Sequence, residues 1–159
     1  MLNPKSNNRS HDAISSSETS IPRKGEVRRR ENVSKGGNGA ILLVDDEEMI
    51  LDIGHDLLEV LGYDVLLAKS GREAIELYKK NKEKISLVIL DMIMPDMGGG
   101  ETYDLLRGIN KDIKVILSSG YGVEGQATEI LNRGCDYFIQ KPFGINELLQ
   151  SIRLTLENK

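Results

Sequence analysis

The sequence predicts an α/β fold in which a doubly wound, five-stranded parallel sheet is covered by five helices. Short apolar runs alternate along the chain with segments whose apolar residues recur at helical spacing. Most of these runs are apolar at nearly every position, which is typical of strands buried on both faces. The alternation occurs five times within roughly 120 residues. Five successive β-α units are typical of a doubly wound parallel sheet.

The predicted strands are short runs with polar residues or glycine at their ends. The first lies between Gly39 and Asp45, and the third lies between Ser86 and Asp91. The second is more mixed in polarity than the other four. In chain order the strands are AILLV at 40–44, YDVLLA at 63–68, LVIL at 87–90, VIL at 115–117 and YFI at 137–139.

The predicted helices occupy the segments between and after these strands. The first, over residues 47–61, places five apolar residues at helical spacing. The second is predicted to begin at a capping box, Ser70-Gly71-Arg72-Glu73, and to run to about Lys80. The remaining three are predicted at 101–109, at about 124–132 and at 145–156.

Residues 1–39 differ from the rest of the chain in composition and charge. They contain eight Lys/Arg and four Asp/Glu, a net charge of +4, whereas residues 40–159 carry a net charge of −8. Their few, scattered apolar residues cannot bury enough surface to offset conformational entropy. We therefore predict a disordered basic tail or linker over 1–39 and one folded domain over 40–159. The run Arg28-Arg29-Arg30 is interpreted as solvated linker, and contact with nucleic acid or anionic lipid is the alternative.

Composition also limits the compartment and the kind of metal site. No apolar run approaches the roughly 20 residues that span a bilayer, and the N-terminus lacks the apolar centre of a signal peptide. The single cysteine, Cys135, excludes an intramolecular disulfide. The two histidines are far apart in sequence. We expect a cytoplasmic protein without a membrane span, in which any metal is held by oxygen ligands.

Polar side chains follow four of the five apolar runs at the point where each run ends. In an open parallel sheet, ligands bind outside the carboxyl ends of the strands, near the switch in strand order. We therefore expect acidic, hydroxyl and ammonium groups to converge on one edge of the sheet. The segments concerned are Asp45-Asp46-Glu47-Glu48, Asp91, Ser118-Ser119-Gly120 and Gln140-Lys141-Pro142.

These groups complement one another chemically. Clustered carboxylates repel each other unless a proton or a cation neutralises them, and oxygen-only ligands suit Mg²⁺. Lys141 offers a positive charge for an anion, and Ser119 offers a hydroxyl donor. A carboxylate held between a divalent cation and a lysine can attack phosphorus to form an acyl phosphate. The arrangement therefore predicts phosphoryl transfer, to which the protein contributes positioning and charge neutralisation.

Each segment taken alone has a simpler interpretation. The acidic run from Asp45 to Glu48 would stabilise a helix N-terminus. Asp91 could be a turn residue before Pro95, Ser118 and Ser119 could form a turn before Gly120, and Lys141 could lie in an ordinary loop. The combination of all four segments favours the functional interpretation.

Four motifs resemble the response regulator receiver family of two-component signalling, in the same order along the chain. They are ILLVDDEE, LVILDMIMPDMGG, VILSSGYG and FIQKPF. The resemblance as a whole covers about residues 40–157. The spacings are 45 residues from Asp46 to Asp91, 28 to Ser119 and 22 to Lys141. The second and third motifs look particularly like receivers of hybrid sensor histidine kinases.

The resemblance implies a flavodoxin-like fold with strand order 2-1-3-4-5 and a role for each matching residue. Asp91 would be the phosphoacceptor, and Mg²⁺ would be the cofactor. The metal would be bound by Asp46 directly, by Asp45 through water, by Asp91 and by the carbonyl of Ile93. Ser119 and Lys141 would bind the phosphoryl group, Phe138 would be the switch aromatic, and Pro142 would follow a cis peptide bond.

The resemblance also implies partners and a signalling role without enzymatic turnover of substrates. The phosphodonor would be a histidine kinase or a histidine phosphotransfer protein. An unknown downstream protein would bind the face formed by the fourth helix, fifth strand and fifth helix. We expect no DNA-binding domain, because no such segment follows the last helix. The alternatives are a receiver-like interaction module that is not phosphorylated and a small-molecule phosphatase, for which Ile93 lacks the required acid.

Some positions depart from the family pattern. Gly98-Gly99-Gly100 replaces a more usual single glycine and is expected to loosen the start of the third helix. Gly144 stands where a stronger helix cap is common. Ile93 and Tyr121 are bulky residues at positions that influence water access in this family. We expect slow self-dephosphorylation from them.

Overall fold

The structure is a computed structural model that describes residues 39–158. The predicted tail therefore lies outside the described residues, apart from Gly39. Five strands and five helices alternate along the described part of the chain. The strands are β1 (Ala40–Val44), β2 (Asp64–Ala68), β3 (Ile85–Asp91), β4 (Val115–Ser119) and β5 (Tyr137–Gln140). The helices are α1 (Glu48–Val60), α2 (Gly71–Asn81), α3 (Gly99–Ile109), α4 (Gln126–Asn132) and α5 (Ile145–Glu157).

The strands form one parallel sheet in the order β2-β1-β3-β4-β5, which confirms the predicted topology. The order reverses between β1 and β3, so the carboxyl ends of these two strands flank the switch point. Val44 pairs with Leu90 across them, and Asp91 pairs with Ser118 of β4. Among residues 39–158, no helix is both long and apolar enough to cross a membrane.

Strand side chains alternate between two buried clusters, one on each face of the sheet. In β1, Leu42 and Val44 belong to the cluster that contains residues of α2, α3 and α4, whereas Ile41 and Leu43 belong to the cluster that contains residues of α1 and α5. All four of these side chains are almost completely buried. Burial on both faces explains why β1 is apolar throughout rather than at every second position.

Helix α3 begins two residues earlier than predicted, at Gly99 instead of Glu101. The low helix propensity of glycine favoured a later start, but tertiary packing determines this one. A Cβ atom on Gly99 would lie 2.7 Å from Cα of Met92 and 2.8 Å from the carbonyl oxygen of Asp91. Gly99 is therefore needed for close approach of α3 to the end of β3, where the predicted phosphoacceptor lies.

Two other helix starts also differ in detail from prediction. Helix α4 begins at Gln126 rather than near residue 124, because Gly125 has a φ of 67° and breaks the helical geometry. At α2, Oγ of Ser70 accepts a hydrogen bond from the backbone N–H of Glu73, as a capping box requires. The side chain of Glu73 accepts from the N–H of Lys69 rather than from that of Ser70.

Candidate functional site

The carboxyl ends of β1, β3, β4 and β5 bring the predicted polar residues to one edge of the sheet. Asp45 follows β1 directly, Asp91 is the last residue of β3, and Ser119 is the last residue of β4. Lys141 follows β5, and its backbone N–H donates to the carbonyl oxygen of Ser119 at 2.7 Å. Asp45, Asp91 and Ser119 are each 4% exposed or less. The edge is therefore a partly enclosed polar site.

Lys141 joins the two buried carboxylates. Its Nζ lies 2.5 Å from Oδ2 of Asp45 and 3.2 Å from Oδ1 of Asp91. Asp45 also accepts a hydrogen bond from the backbone N–H of Glu47 through its Oδ1, at 2.9 Å. Segments 96 residues apart in sequence thus meet in a direct ion pair. One ammonium group contacts two carboxylates, so the site remains rich in negative charge.

The surroundings of Asp91 change the pKa of its carboxyl group. Burial, and then repulsion from Asp45, raise the pKa of Asp91 to about 6, although Lys141 and the backbone of Ile93 oppose the shift. Burial disfavours the charge on Lys141 as well. Its contacts with Asp45 and Asp91 outweigh burial and raise the pKa of Lys141 above its ordinary value. The lysine therefore stays charged. A further cation would stabilise the ionised form of Asp91.

The carboxylates of Asp45, Asp46 and Asp91 fit a divalent metal ion. One oxygen from each lies within 4.8 Å of the others. Asp46 is exposed, so the cluster opens towards solvent on its side. Three carboxylates with an open side match the hard oxygen ligands and retained waters that Mg²⁺ requires. Ile93 directs its backbone N–H towards Oδ1 of Asp91 at 3.5 Å, and the residue is largely exposed.

The remaining predicted residues lie on β4, on β5 and after β5. Oγ of Ser119 accepts a hydrogen bond from the backbone N–H of Tyr121 at 3.1 Å, so its own proton is available to a ligand. Phe138 pairs with Leu117 in the sheet register and shares that sheet face with Ser119. Phe138 is half-buried. The peptide bond between Lys141 and Pro142 is cis, the state that the resemblance implies.

Sequence reasoning missed Asp96. Its carboxylate accepts hydrogen bonds from the backbone N–H groups of Gly71 and Arg72, each at 3.4 Å. These contacts link the loop after β3 to the start of α2 across 25 and 24 residues of sequence. The only local signal was a carboxylate after Pro95, which predicts a turn and not a contact with another helix.

Comparison with known proteins identifies the family of the chain. A family model described as "Response regulator receiver domain" matches residues 41–153. The chain belongs to this receiver family. All the predicted site residues, from Asp45 to Pro142, lie within the matched range.

Relatives and solved structures show the same similarity. The sensor kinase CckA of Brucella abortus is 32% identical over 123 residues, which are 77% of this chain and 13% of that kinase. The probable transcriptional regulator ycf27 of Galdieria sulphuraria is 37% identical over 118 residues, 73% of this chain and 44% of the regulator. The chain therefore spans less than half the length of these two relatives.

Three solved structures share the fold. A receiver domain protein of Clostridium thermocellum superposes with a TM-score of 0.71 at 30% identity, over 75% of this chain and 94% of that one. The receiver of the hybrid histidine kinase CckA superposes with a TM-score of 0.63 at 32% identity, over 74% of this chain and 99% of that one. CheY of Borrelia burgdorferi, in a complex with CheX, BeF₃ and Mg²⁺, superposes with a TM-score of 0.69 at 28% identity, over 72% of this chain and 87% of that one.

Proposed function

We propose that this receiver takes a phosphoryl group onto Asp91 from a phosphohistidine of a histidine kinase or a histidine phosphotransfer protein. The observation that carries the proposal is the position of Asp91. Its buried carboxylate contacts Nζ of Lys141 and lies within 4.8 Å of two further carboxylates. A nucleophile between a cation and a metal-binding cluster is what phosphoryl transfer to a carboxylate requires.

In the proposed step, one Oδ atom of Asp91 attacks phosphorus and forms an O–P bond. The N–P bond to the donor imidazole breaks, and its electron pair returns to the ring nitrogen. The other ring nitrogen carries the proton that makes the imidazole a neutral leaving group. The phosphoryl oxygens accept hydrogen bonds from Nζ of Lys141 and from the hydroxyl of Ser119.

Asp45, Asp46, the carboxylate of Asp91 and the carbonyl of Ile93 would hold Mg²⁺. When bound, the ion neutralises charge that develops on the phosphoryl oxygens. The chain's own contribution is positioning. Asp91 is fixed at the end of β3, and Ser119 is fixed beside it because Asp91 and Ser118 are register partners.

The switch in this proposal couples Ser119 to Phe138. A phosphorylated Asp91 carries additional negative charge and new acceptor oxygens, which attract the Ser119 hydroxyl. Movement of Ser119 leaves space on the sheet face that it shares with Phe138, and the aromatic ring turns inward. The surface of α4, β5 and α5 changes and binds a downstream partner. The change is a shift in population, because the phosphoryl group binds the active arrangement better.

The decisive experiment is intact-mass analysis of the full chain after incubation with Mg²⁺ and acetyl phosphate. We expect the native protein to gain one PO₃ unit, and we expect Asp91→Asn to gain none. Addition of EDTA should prevent the gain. An adduct that persists in Asp91→Asn, or no adduct in the native protein, would contradict the proposal.

A second measurement tests the switch. Beryllofluoride with Mg²⁺ is expected to shift the amide resonances of Ser119 and Phe138. The same addition to Asp91→Asn is the matched control, and the resonances of Ser119 and Phe138 should not shift in it. If the native spectrum changes only at the metal-binding residues, Asp91 and Phe138 are not coupled.

A further inference from the structure

The first turn of α2 is capped from two directions. The N–H groups at the start of an α-helix have no partner inside the helix. Ser70 supplies an acceptor for Glu73, which is the ordinary local cap. The two preceding N–H groups, those of Gly71 and Arg72, both donate to the carboxylate of Asp96. One helix start is therefore completed by a side chain from a different part of the chain.

Asp96 belongs to the loop that connects Asp91 to α3. At its beginning this loop is held by the N–H of Met92, which donates to the carbonyl oxygen of Ser118 at 3.0 Å. The carbonyl oxygen of Met92 accepts from the N–H of Gly99 at 2.9 Å. Between these points lies Ile93, whose carbonyl is a proposed metal ligand. Among the hydrogen bonds of residues 39–158, the two to Asp96 are the ones that join this loop to α2.

The junction between the loop and α2 is also tightly packed. A Cβ atom on Gly71 would lie 2.9 Å from Cβ of Met97, and it would also clash with Oγ1 of Thr102. Gly71 itself is buried. The start of α2 therefore packs directly on Met97, which follows Asp96, and on Thr102 of α3. A shift of the loop cannot occur without disturbing this contact, because close-packed atoms leave no free space.

We propose that Asp96 is a positioning residue for the phosphorylation site. By capping α2, its carboxylate holds the loop in the conformation that presents the carbonyl of Ile93 and the carboxylate of Asp91 to Mg²⁺. The side chain of Asp96 hydrogen-bonds to Gly71 and Arg72, and neither residue is a proposed metal ligand. This inference rests on the proposed function, because it assumes that Mg²⁺ binds at Asp45, Asp46 and Asp91.

The charge state of Asp96 agrees with this role. Burial raises its pKa, but backbone hydrogen bonds from Arg72, Met97 and Gly71 together outweigh burial and hold the pKa of Asp96 below its ordinary value. Asp96 is therefore a carboxylate at neutral pH. A negative charge at the start of a helix also interacts favourably with the helix dipole.

The chain provides a matched control at the same helix. Ser70→Ala removes the local cap of α2 and leaves the loop untouched, whereas Asp96→Ala removes the cap that belongs to the loop. Both changes are expected to lower the midpoint of urea unfolding to a similar extent. Only Asp96→Ala is expected to weaken Mg²⁺ binding, by about tenfold, the smaller end of the effect of residues that orient metal ligands.

Mg²⁺ affinity can be measured on the full chain by titration with MgCl₂, followed by the amide resonances of Asp46 and Asp91. Asp96→Asn serves as the conservative variant: it keeps an acceptor oxygen and should give an intermediate affinity. If Asp96→Ala does not fold, Asp96→Asn alone is compared with Ser70→Ala. Equal Mg²⁺ affinity in Ser70→Ala and the Asp96 variant overturns the inference, whether both are reduced or both are native. Absence of Mg²⁺ binding in the native protein would instead contradict the proposed function.

Discussion

At the scale of single residues, two bulky residues contact the candidate site through their backbone N–H groups. Ile93 and Tyr121 are 56% and 73% exposed. The backbone of Ile93 faces Asp91, and the backbone of Tyr121 faces Ser119. Neither side chain carries an acid or amide that could orient a water molecule for attack on phosphorus. The phosphorylated state should therefore hydrolyse slowly.

Ile93→Asn is expected to shorten the phosphorylated half-life by roughly tenfold, because a polar side chain that positions water can promote its attack. The half-life can be measured as release of inorganic phosphate after removal of the phosphodonor. Ile93→Val is the matched control and should retain the native rate. A native rate in Ile93→Asn would contradict the idea that hydrolysis is slow because residue 93 cannot orient water.

Most of the residues that meet at the site could be predicted from the sequence. Asp45, Asp91, Ser119 and Lys141 each stand at or just after the end of an apolar run, and parallel strands bring such positions to one edge. The contacts of Asp96 could not be predicted in this way. They depend on how the loop after β3 packs against α2, and no local pattern reports a tertiary contact of this kind.

At the scale of secondary-structure elements, the three successive glycines near the start of α3 have different environments. Around Gly99 the nearest atoms are the backbone of Met92 and Asp91, which cannot move aside. A Cβ atom on Gly100 would lie 3.3 Å from Nη2 of Arg133, which is the end of a flexible side chain. A Cβ atom on Gly98 would have no neighbouring atom within 4 Å. The structural requirement for glycine is therefore concentrated at Gly99.

Gly99→Ala is expected to lower the free energy of unfolding by about 1–3 kcal/mol, the usual cost of overpacking. It should also slow phosphorylation, because the added methyl group pushes against the carbonyl of Asp91. Gly100→Ala is the matched control and should be neutral or slightly stabilising, because alanine favours helix. Urea denaturation and acetyl phosphate labelling of both variants measure these effects. Equal stability of the two variants would contradict this account of the glycines.

The elements themselves were predicted more reliably than their ends. All five strands and all five helices lie at the predicted places, because nearly continuous apolar runs and helical spacing are strong signals. The starts of α3 and α4 were wrong by about two residues. They depend on the close approach at Gly99 and on the positive φ of Gly125, and neither is visible in the pattern of apolar residues.

At the scale of the whole molecule, the buried carboxylate of Asp91, the proposed phosphoacceptor, opposes the stability of the fold. The pKa of Asp91 is about 6 in the folded protein against a reference value of 3.8. Between these values the folded state binds more protons than the unfolded state, so the free energy of unfolding falls as pH rises from about 4 to about 6. Above about pH 6 the ionised Asp91 destabilises the fold to its full extent. Below about pH 4 this destabilisation disappears, because Asp91 is protonated in both states.

Asp91→Asn should therefore be more stable than the native protein at pH 7.5 without Mg²⁺, by on the order of 1–3 kcal/mol. Near pH 4 the difference should vanish. Urea denaturation of both proteins in EDTA at the two pH values measures it, and addition of Mg²⁺ should narrow the gap at pH 7.5. A difference that does not change with pH would contradict the assigned pKa shift.

The contact of Lys141 with Asp45 should couple phosphorylation of Asp91 to the binding of Mg²⁺. Before phosphorylation, this lysine is the near cation of a carboxylate that is only 2% exposed. If the lysine turns to the incoming phosphoryl group, Asp45 loses its counter-ion and another positive charge must replace it. Magnesium and the phosphoryl group should thus show positive heterotropic linkage, in which each tightens the binding of the other by the same factor.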